Sequence, residues 1–251
     1  MKETRRRGEL LHTQVTRELA LGILKGEIRN AEPGCSTEAD FSSLFNVSRS
    51  VLRESIKVLA AKGLVEVRPR IGVRVCPKSQ WNLVDPELLA WRCEAGADDA
   101  LARDICEIRV VLEPSAAEMA ALRGSKQEVA AIESAYRRME EIGVNNSAML
   151  DADMQFHYNI LAASHNQLLM QIGNTIRTGF LHALKLGTRA LHSMDLTLPM
   201  HKRISQAIRK HDGRAARAEM EQLICQTMKD CQQALQLGRR SKVRNRQGHV
   251  D

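Results

Sequence analysis

Residues 33–75 read PGCSTEADFSSLFNVSRSVLRESIKVLAAKGLVEVRPRIGVRV, and their order decides the fold of the first third of the chain. Thr37 can cap a short helix through Phe41, Leu44 and Phe45. Asn46-Val47 makes a turn. Ser48 caps a further helix to about Lys62, and Gly63 stops it. In that helix Leu52, Ile56 and Leu59 recur at helical spacing and form a stripe to be buried, while Arg49, Ser50 and Arg53 lie off it. Leu64–Arg68 and Gly72–Val75 alternate as two strands around a turn. Helix, turn, helix and hairpin in this order predict a winged helix-turn-helix, a unit that lays its second helix in the major groove of duplex DNA.

A recognition helix needs short polar or basic side chains in its first turns and apolar residues on its back. Arg49 and Arg53 are one turn apart, so both can face the groove, where a guanidinium pairs with guanine O6 and N7 or with phosphate. Ser50 can add a hydrogen bond to base or phosphate. Arg68 and Arg70 flank the tip of the wing, Gly72 lets it turn tightly, and one arginine could enter the minor groove. The plainer alternative is a solvated basic face. Charge placement favours the first reading. Residues 1–78 carry 15 Lys+Arg against 9 Asp+Glu, residues 237–251 carry 5 against 1, and the middle carries 17 against 20. Basic ends around an acidic middle suit DNA contact at one end of a molecule whose net charge is +7.

Outward from this segment the chain reads as helical. Of 251 residues 43% are hydrophobic and only 3% aromatic, which favours helices over a β-sandwich. Residues 1–12 are expected to be a disordered basic arm, and Thr13 to about Ile28 a first helix with Val15, Leu19 and Ile23 on one face. The winged unit spans 13–76. Residues 77–96 read as a linker holding a short helix after Pro86. Residues 97–236 give about six helices, with breaks near Gly124-Ser125, Gly143–Asn146, Ser164–Asn166, Gly187–Pro199 and His211–Gly213, and no strand. Residues 237–251 read as a basic disordered tail, either solvated or in contact with phosphate. The fold class is therefore mainly α, a winged helix-turn-helix followed by an all-α bundle. Six scattered cysteines without a CxxC pair read as reduced thiols. No signal peptide precedes the first helix and no run of about 18 apolar residues could span a bilayer, so a cytoplasmic location without membrane contact is expected.

Residues 13–75 resemble the DNA-binding domain of GntR-type bacterial transcription regulators. The likeness rests on Pro33-Gly34, the Thr37-Glu38 helix start, VSRSVLRE at 47–54, LAAKGLVEVRPRIG at 59–72 and the closing strand 73–75. The chain departs from that pattern at Cys35-Ser36 and at Ala39, where relatives often carry a basic DNA contact. The second part resembles the all-helical FCD ligand-binding domain of the FadR subfamily. The stretches that carry this are EIRVVLEPSAAEMAA at 107–121, DMQFHYNILAASHNQLL at 153–169 and HKRISQAIRKHDGRAARAEM at 201–220. With residues 80–91 before them, the pattern is similar to repressors that respond to galactonate and related sugar acids.

Asp153 and His157 are four residues apart on one helix face. They could hold a divalent ion together, or they could be a hydrogen-bonding pair. The resemblance adds His201, and so implies a metal site of Asp153, His157 and His201 for zinc, nickel or manganese. The subfamily's fourth ligand is a histidine three residues after the methionine that is Met220 here. This chain has Leu223, on an apolar stripe with Met220, so it reads as core. Arg109 stands where the family receives the effector's carboxylate; the alternative is an ion pair with Glu113, four residues on. Asn174 and Arg177 could line the same cavity. The expected effector is a small carboxylate, a sugar acid, near Arg109, Asp153, His157 and His201. The expected assembly is a homodimer on palindromic operator DNA, acting as a repressor. An acyl-CoA effector would need an apolar tunnel. A metal-dependent enzyme would need a placed general base, and no motif supplies one.

Overall fold

The structure is a computed structural model that describes residues 2–28, 47–68, 72–96, 99–143, 148–185 and 194–247. The expected second helix with Thr37, Ala39, Phe41 and Leu44 and the wing tip with Arg70 lie outside those residues. The chain forms two compact units, residues 1–96 and 97–251.

The first unit starts with α1 (Lys2–Lys25). The helix begins at Lys2, so residues 2–12 are not the disordered arm expected of them. The stretch is proline-free and rich in good helix formers, and charge alone does not prevent a helix. Helix α2 (Arg49–Ala61) is capped by Ser48, whose Oγ accepts from Val51 N at 3.4 Å. It ends at Lys62 and Gly63. Gly63 has φ +74°, and a Cβ there would lie 2.2 Å from the carbonyl oxygen of Gln80, so only glycine fits. Strands β1 (Val65–Arg68) and β2 (Gly72–Val75) pair antiparallel, with Val65 opposite Val75 and Arg68 opposite Gly72. A 3-10 turn at Lys78–Gln80 leads to α3 (Pro86–Glu94), capped by Asp85.

One core joins these pieces. Val15, Leu19 and Ile23 of α1 meet Leu52, Ile56 and Leu59 of α2, Val65 and Val73 of the wing, and Leu88 and Trp91 of α3. Residues 77–96 are therefore not a linker outside the winged unit. Leu88 and Trp91 bury in its core, and Trp91 alone brings a large apolar surface that a solvated linker would leave in water.

The second unit is built from α4 (Asp99–Arg123), α5 (Lys126–Ile142), α6 (Ala148–Ala163), α7 (Gln167–Lys185), α8 (Met194–Arg209) and α9 (Gly213–Gln247). Ser125 and Glu128 form a reciprocal capping box at the start of α5. Asn166 Oδ1 accepts from Leu169 N at 3.1 Å and Asp212 Oδ1 from Ala215 N at 2.9 Å, which starts α7 and α9. Alanines 116, 117, 120 and 121 on α4 let neighbouring helices approach closely. Phe156, Ile160 and Leu161 of α6, Ile204 and Ile208 of α8, and Met220, Leu223 and Ile224 of α9 fill the core beside them. Two expectations change here. Helix α8 starts at Met194 and runs through Pro199, so the break expected through Pro199 is shorter. The proline stands in the second turn, inside the helix, where it removes one backbone bond of the ladder. The backbone also stays helical to Gln247, so residues 237–247 are not a disordered tail. No helix among the described residues is long and apolar enough to cross a membrane.

Candidate functional site

Two sets of residues bear on function, one in each unit. In the first, the Ser48 cap places Arg49, Ser50 and Arg53 in the opening turn and a half of α2, all exposed, off the buried stripe of Leu52, Ile56 and Leu59. Ser50 Oγ lies 3.0 Å from Ser48 Oγ. Arg68 is exposed near the end of β1, its Nε 2.8 Å from Glu66 Oε1, and Gly72 opposite it has φ +94°. Glu66 faces Arg74 across the hairpin, so the wing carries a third arginine, beyond Arg68 and Arg70, that the motif reading passed over.

In the second unit five of the six expected effector residues come together, from four helices. Asp153 and His157 lie on α6, Arg109 on α4, Arg177 on α7 and His201 on α8. Arg109, His157, Arg177 and His201 are all buried. Asn174 stands one turn before Arg177, half-buried. Glu113 is the hub. Its Oε1 accepts from Arg109 Nε at 2.6 Å, so the ion pair that the spacing allowed is formed. Arg177 Nη1 reaches both Glu113 oxygens at 3.4 Å. His157 Nδ1 lies 2.7 Å from Glu113 Oε2, a charge contact at an angle outside hydrogen-bonding range. Arg177 Nη2 donates to Asp153 Oδ2 at 2.6 Å. Sequence spacing gave the Arg109–Glu113 pair but not the links to His157 and Arg177, which cross between helices.

The proton positions follow from the partners. His201 Nδ1 is 2.8 Å from the carbonyl oxygen of Thr197, which can only accept, so Nδ1 carries the hydrogen. His157 Nδ1 faces a carboxylate at short range, which favours the tautomer with its hydrogen on Nδ1 although the angle is not that of a hydrogen bond. In the neutral rings both Nε2 atoms then present lone pairs to the same point. They are 3.3 Å apart, and Asp153 Oδ1 is 3.0 Å from His201 Nε2 and 3.6 Å from His157 Nε2. Three electron-pair donors converge where only a cation, a shared proton or a metal ion, relieves them. These ligand atoms lie within 4.8 Å of one another. Both imidazoles are oriented through their far nitrogen, and Asp153 through its far oxygen by Arg177, as in many metal sites. The donor set of two imidazoles and one carboxylate fits a divalent transition metal. Leu223 is 2% exposed in the apolar core and supplies no ligand.

The electrostatics agree. Burial pushes the Glu113 carboxyl up, but Arg109, His157 and Arg177 outweigh it and hold the group well below the usual carboxylate range. Burial likewise acts against Asp153, and Arg177 and His157 reverse it. Burial works against the Arg109 cation, and Glu113 and Asp153 raise its pKa nonetheless. Two guanidiniums and two carboxylates thus stay ionised and cancel in a dry interior.

A winged helix-turn-helix followed by an all-helical unit with a buried polar centre defines a DNA-binding regulator rather than an enzyme. Comparison with known proteins gives the family. Residues 12–75 match the family described as bacterial regulatory proteins, gntR family, and residues 104–226 match the FCD domain. The chain is 34% identical over 182 residues to the galactonate operon transcriptional repressor of Escherichia coli K12, covering 71% of this chain and 79% of that protein. It is 34% identical over 203 residues to the uncharacterized HTH-type transcriptional regulator YieP of the same organism, covering 79% and 86%. A solved structure of Lar, described as controlling expression of the Listeria monocytogenes agr system, overlaps with a TM-score of 0.58 at 17% identity, over 88% of this chain and 96% of that one, and speaks to the fold alone. The chain belongs to the GntR family of bacterial transcription regulators, in the FadR subfamily that carries the FCD domain.

Proposed function

We propose that this regulator represses a sugar-acid catabolic operon and leaves its operator when a small carboxylate enters the helical unit. The carrying observation is the buried constellation of Arg109, Glu113, Asp153, His157, Arg177 and His201. Two arginines and a three-donor cation site suit a small polyhydroxy acid, which has one carboxylate and several hydroxyls. A long acyl chain would need an apolar tunnel, and this cluster offers it ionised groups instead. The identity shared with a galactonate operon repressor supports the same class.

In this reading Asp153, His157 and His201 hold a zinc, nickel or manganese ion, which would act as a Lewis-acid anchor for effector oxygens. Arg109 receives the effector carboxylate in exchange for Glu113, and Asn174 and Arg177 lie along the same side. The two forms of the protein must differ in effector affinity for binding to move the DNA heads. The regulator acts as a homodimer whose heads read the halves of a palindrome. Exposed Ile108 and Val111 on α4 offer an apolar surface consistent with self-association. Arg49, Ser50 and Arg53 read base edges, and Arg68, Arg70 and Gly72 form the wing's contact.

A thermal-shift panel of D-galactonate, L-lactate and an acyl-CoA, each with and without added zinc, tests this. Stabilisation by the aldonate is expected, lost in Arg109→Ala. Stabilisation by the acyl-CoA alone would overturn the reading.

A further inference from the structure

Lysine at the end of an exposed helix normally reaches into water. Lys62, which closes α2, is 8% exposed. Its Nζ donates to both carboxylate oxygens of Asp85 at 2.8 Å and lies 2.9 Å from Glu87 Oε2. It also sits 5.4 Å from the centre of the Trp91 ring. Asp85 does two jobs, because its Oδ1 accepts from Leu88 N at 2.9 Å and so caps α3. The main chain joins in: Asn82 N donates to the Lys62 carbonyl at 3.0 Å, and the Gln80 carbonyl rests against Gly63. Burial alone would lower the Lys62 pKa, and Asp85 and Glu87 reverse that, so the ammonium is kept. A compact ammonium with three donors can serve two carboxylates and an aromatic face at once, where a planar guanidinium needs a different geometry.

We infer that Lys62 is a positioning residue that clamps α3 to the end of the recognition helix. Helix α3 is the last element of the first unit before the chain passes Gly96. With the clamp closed, that exit helix and the helix carrying Arg49, Ser50 and Arg53 form one body. The first unit then ends at Gly96, at φ +103°, and not at the stretch 77–85 that composition marks as a linker. The inference rests on the DNA-binding role alone and is independent of which effector binds.

Hydrogen exchange on the full-length protein tests it, with operator affinity measured on a duplex selected from a random library by the wild-type protein. Lys62→Met keeps most of the stem and removes the charge; Lys62→Arg keeps the charge. In Lys62→Met the amides of Leu88–Ala95 should lose at least about tenfold in protection while those of Leu52–Ala60 hold, and the operator Kd should rise severalfold. Lys62→Arg, which keeps the charge but not the ammonium's geometry, should fall between Lys62→Met and wild type in protection of α3. Unchanged protection of α3 in Lys62→Met overturns the clamp. Equal loss in α2 and α3 overturns it too, since Lys62 would then only stabilise the unit. If the methionine variant does not fold, Asp85→Ser removes the carboxylate partner while keeping an N-cap, and the same two outcomes apply to it.

Discussion

Glu113→Gln is the sharpest probe of the buried centre. The side chain of Glu113 is 3% exposed, and its carboxylate touches Arg109 at 2.6 Å, His157 at 2.7 Å and Arg177 at 3.4 Å. Glutamine keeps the shape and removes the charge. Two guanidiniums would then face one carboxylate, Asp153, in the same dry interior. Removing one partner of a buried ion pair costs about 3–5 kcal/mol, because the remaining charge stays desolvated. For a chain of this length each kcal/mol lowers Tm by about 2–4 °C, so the transition of the helical unit should fall by roughly 6–20 °C. Differential scanning calorimetry measures this directly, with urea unfolding followed by circular dichroism as a second axis. The double variant Arg109→Met/Glu113→Gln restores charge balance and should recover about 1–3 kcal/mol relative to additivity. A single-variant loss below about 1 kcal/mol, or strict additivity in the double, would refute the view that opposed buried charges hold this centre together.

Arg53→Ala should weaken binding to the selected operator by about 1–3 kcal/mol, roughly 5- to 150-fold, while the aldonate thermal shift stays intact; electrophoretic mobility shift reads the first and fluorimetry the second. Leu223→His should raise zinc affinity by about tenfold or more, by analogy with the scale on which supporting residues tune metal sites, and competition with a chromophoric chelator would show it; an unchanged affinity would remove position 223 from the metal's surroundings. The Lys62–Asp85 clamp makes a signed pH prediction. Burial raises the Asp85 pKa, but Lys62 and the Leu88 amide bring it below the ordinary value, so its stabilisation is complete above the unfolded carboxylate pKa of about 3.9 and is lost as pH falls through the lower folded value. The Lys62 pKa is raised, so its share is complete below about 10.4 and is lost only as pH rises through the higher folded value. Urea unfolding of the first unit should therefore show the full contribution of this pair, without pH dependence from it, between about pH 5 and 9, and Asp85→Asn should flatten the acid limb.

What the sequence made legible was what lies along one helix or one turn. The Ser48 cap, the Leu52-Ile56-Leu59 stripe, the Gly63 stop and the spacing of Asp153 from His157 are all short-range patterns, and the structure forms each one. The ion pair of Arg109 and Glu113 was legible for the same reason. Glu113 as a hub was not, because its bonds to Arg177 and His157 span 64 and 44 residues, and no periodicity encodes which helices become neighbours. The reading of 77–96 as a linker failed in a similar way. Proline, serine and aspartate there signal a loop when taken alone, yet Trp81 Nε1 donates to the Cys76 carbonyl at 3.0 Å and Leu88 and Trp91 bury against α1 and α2. Composition records how polar a segment is but not whether each polar group finds a partner. Lys62 shows the consequence. Its burial makes sense only with Asp85 and Glu87 beside it, because an unpaired ammonium at that place would be desolvated without a partner.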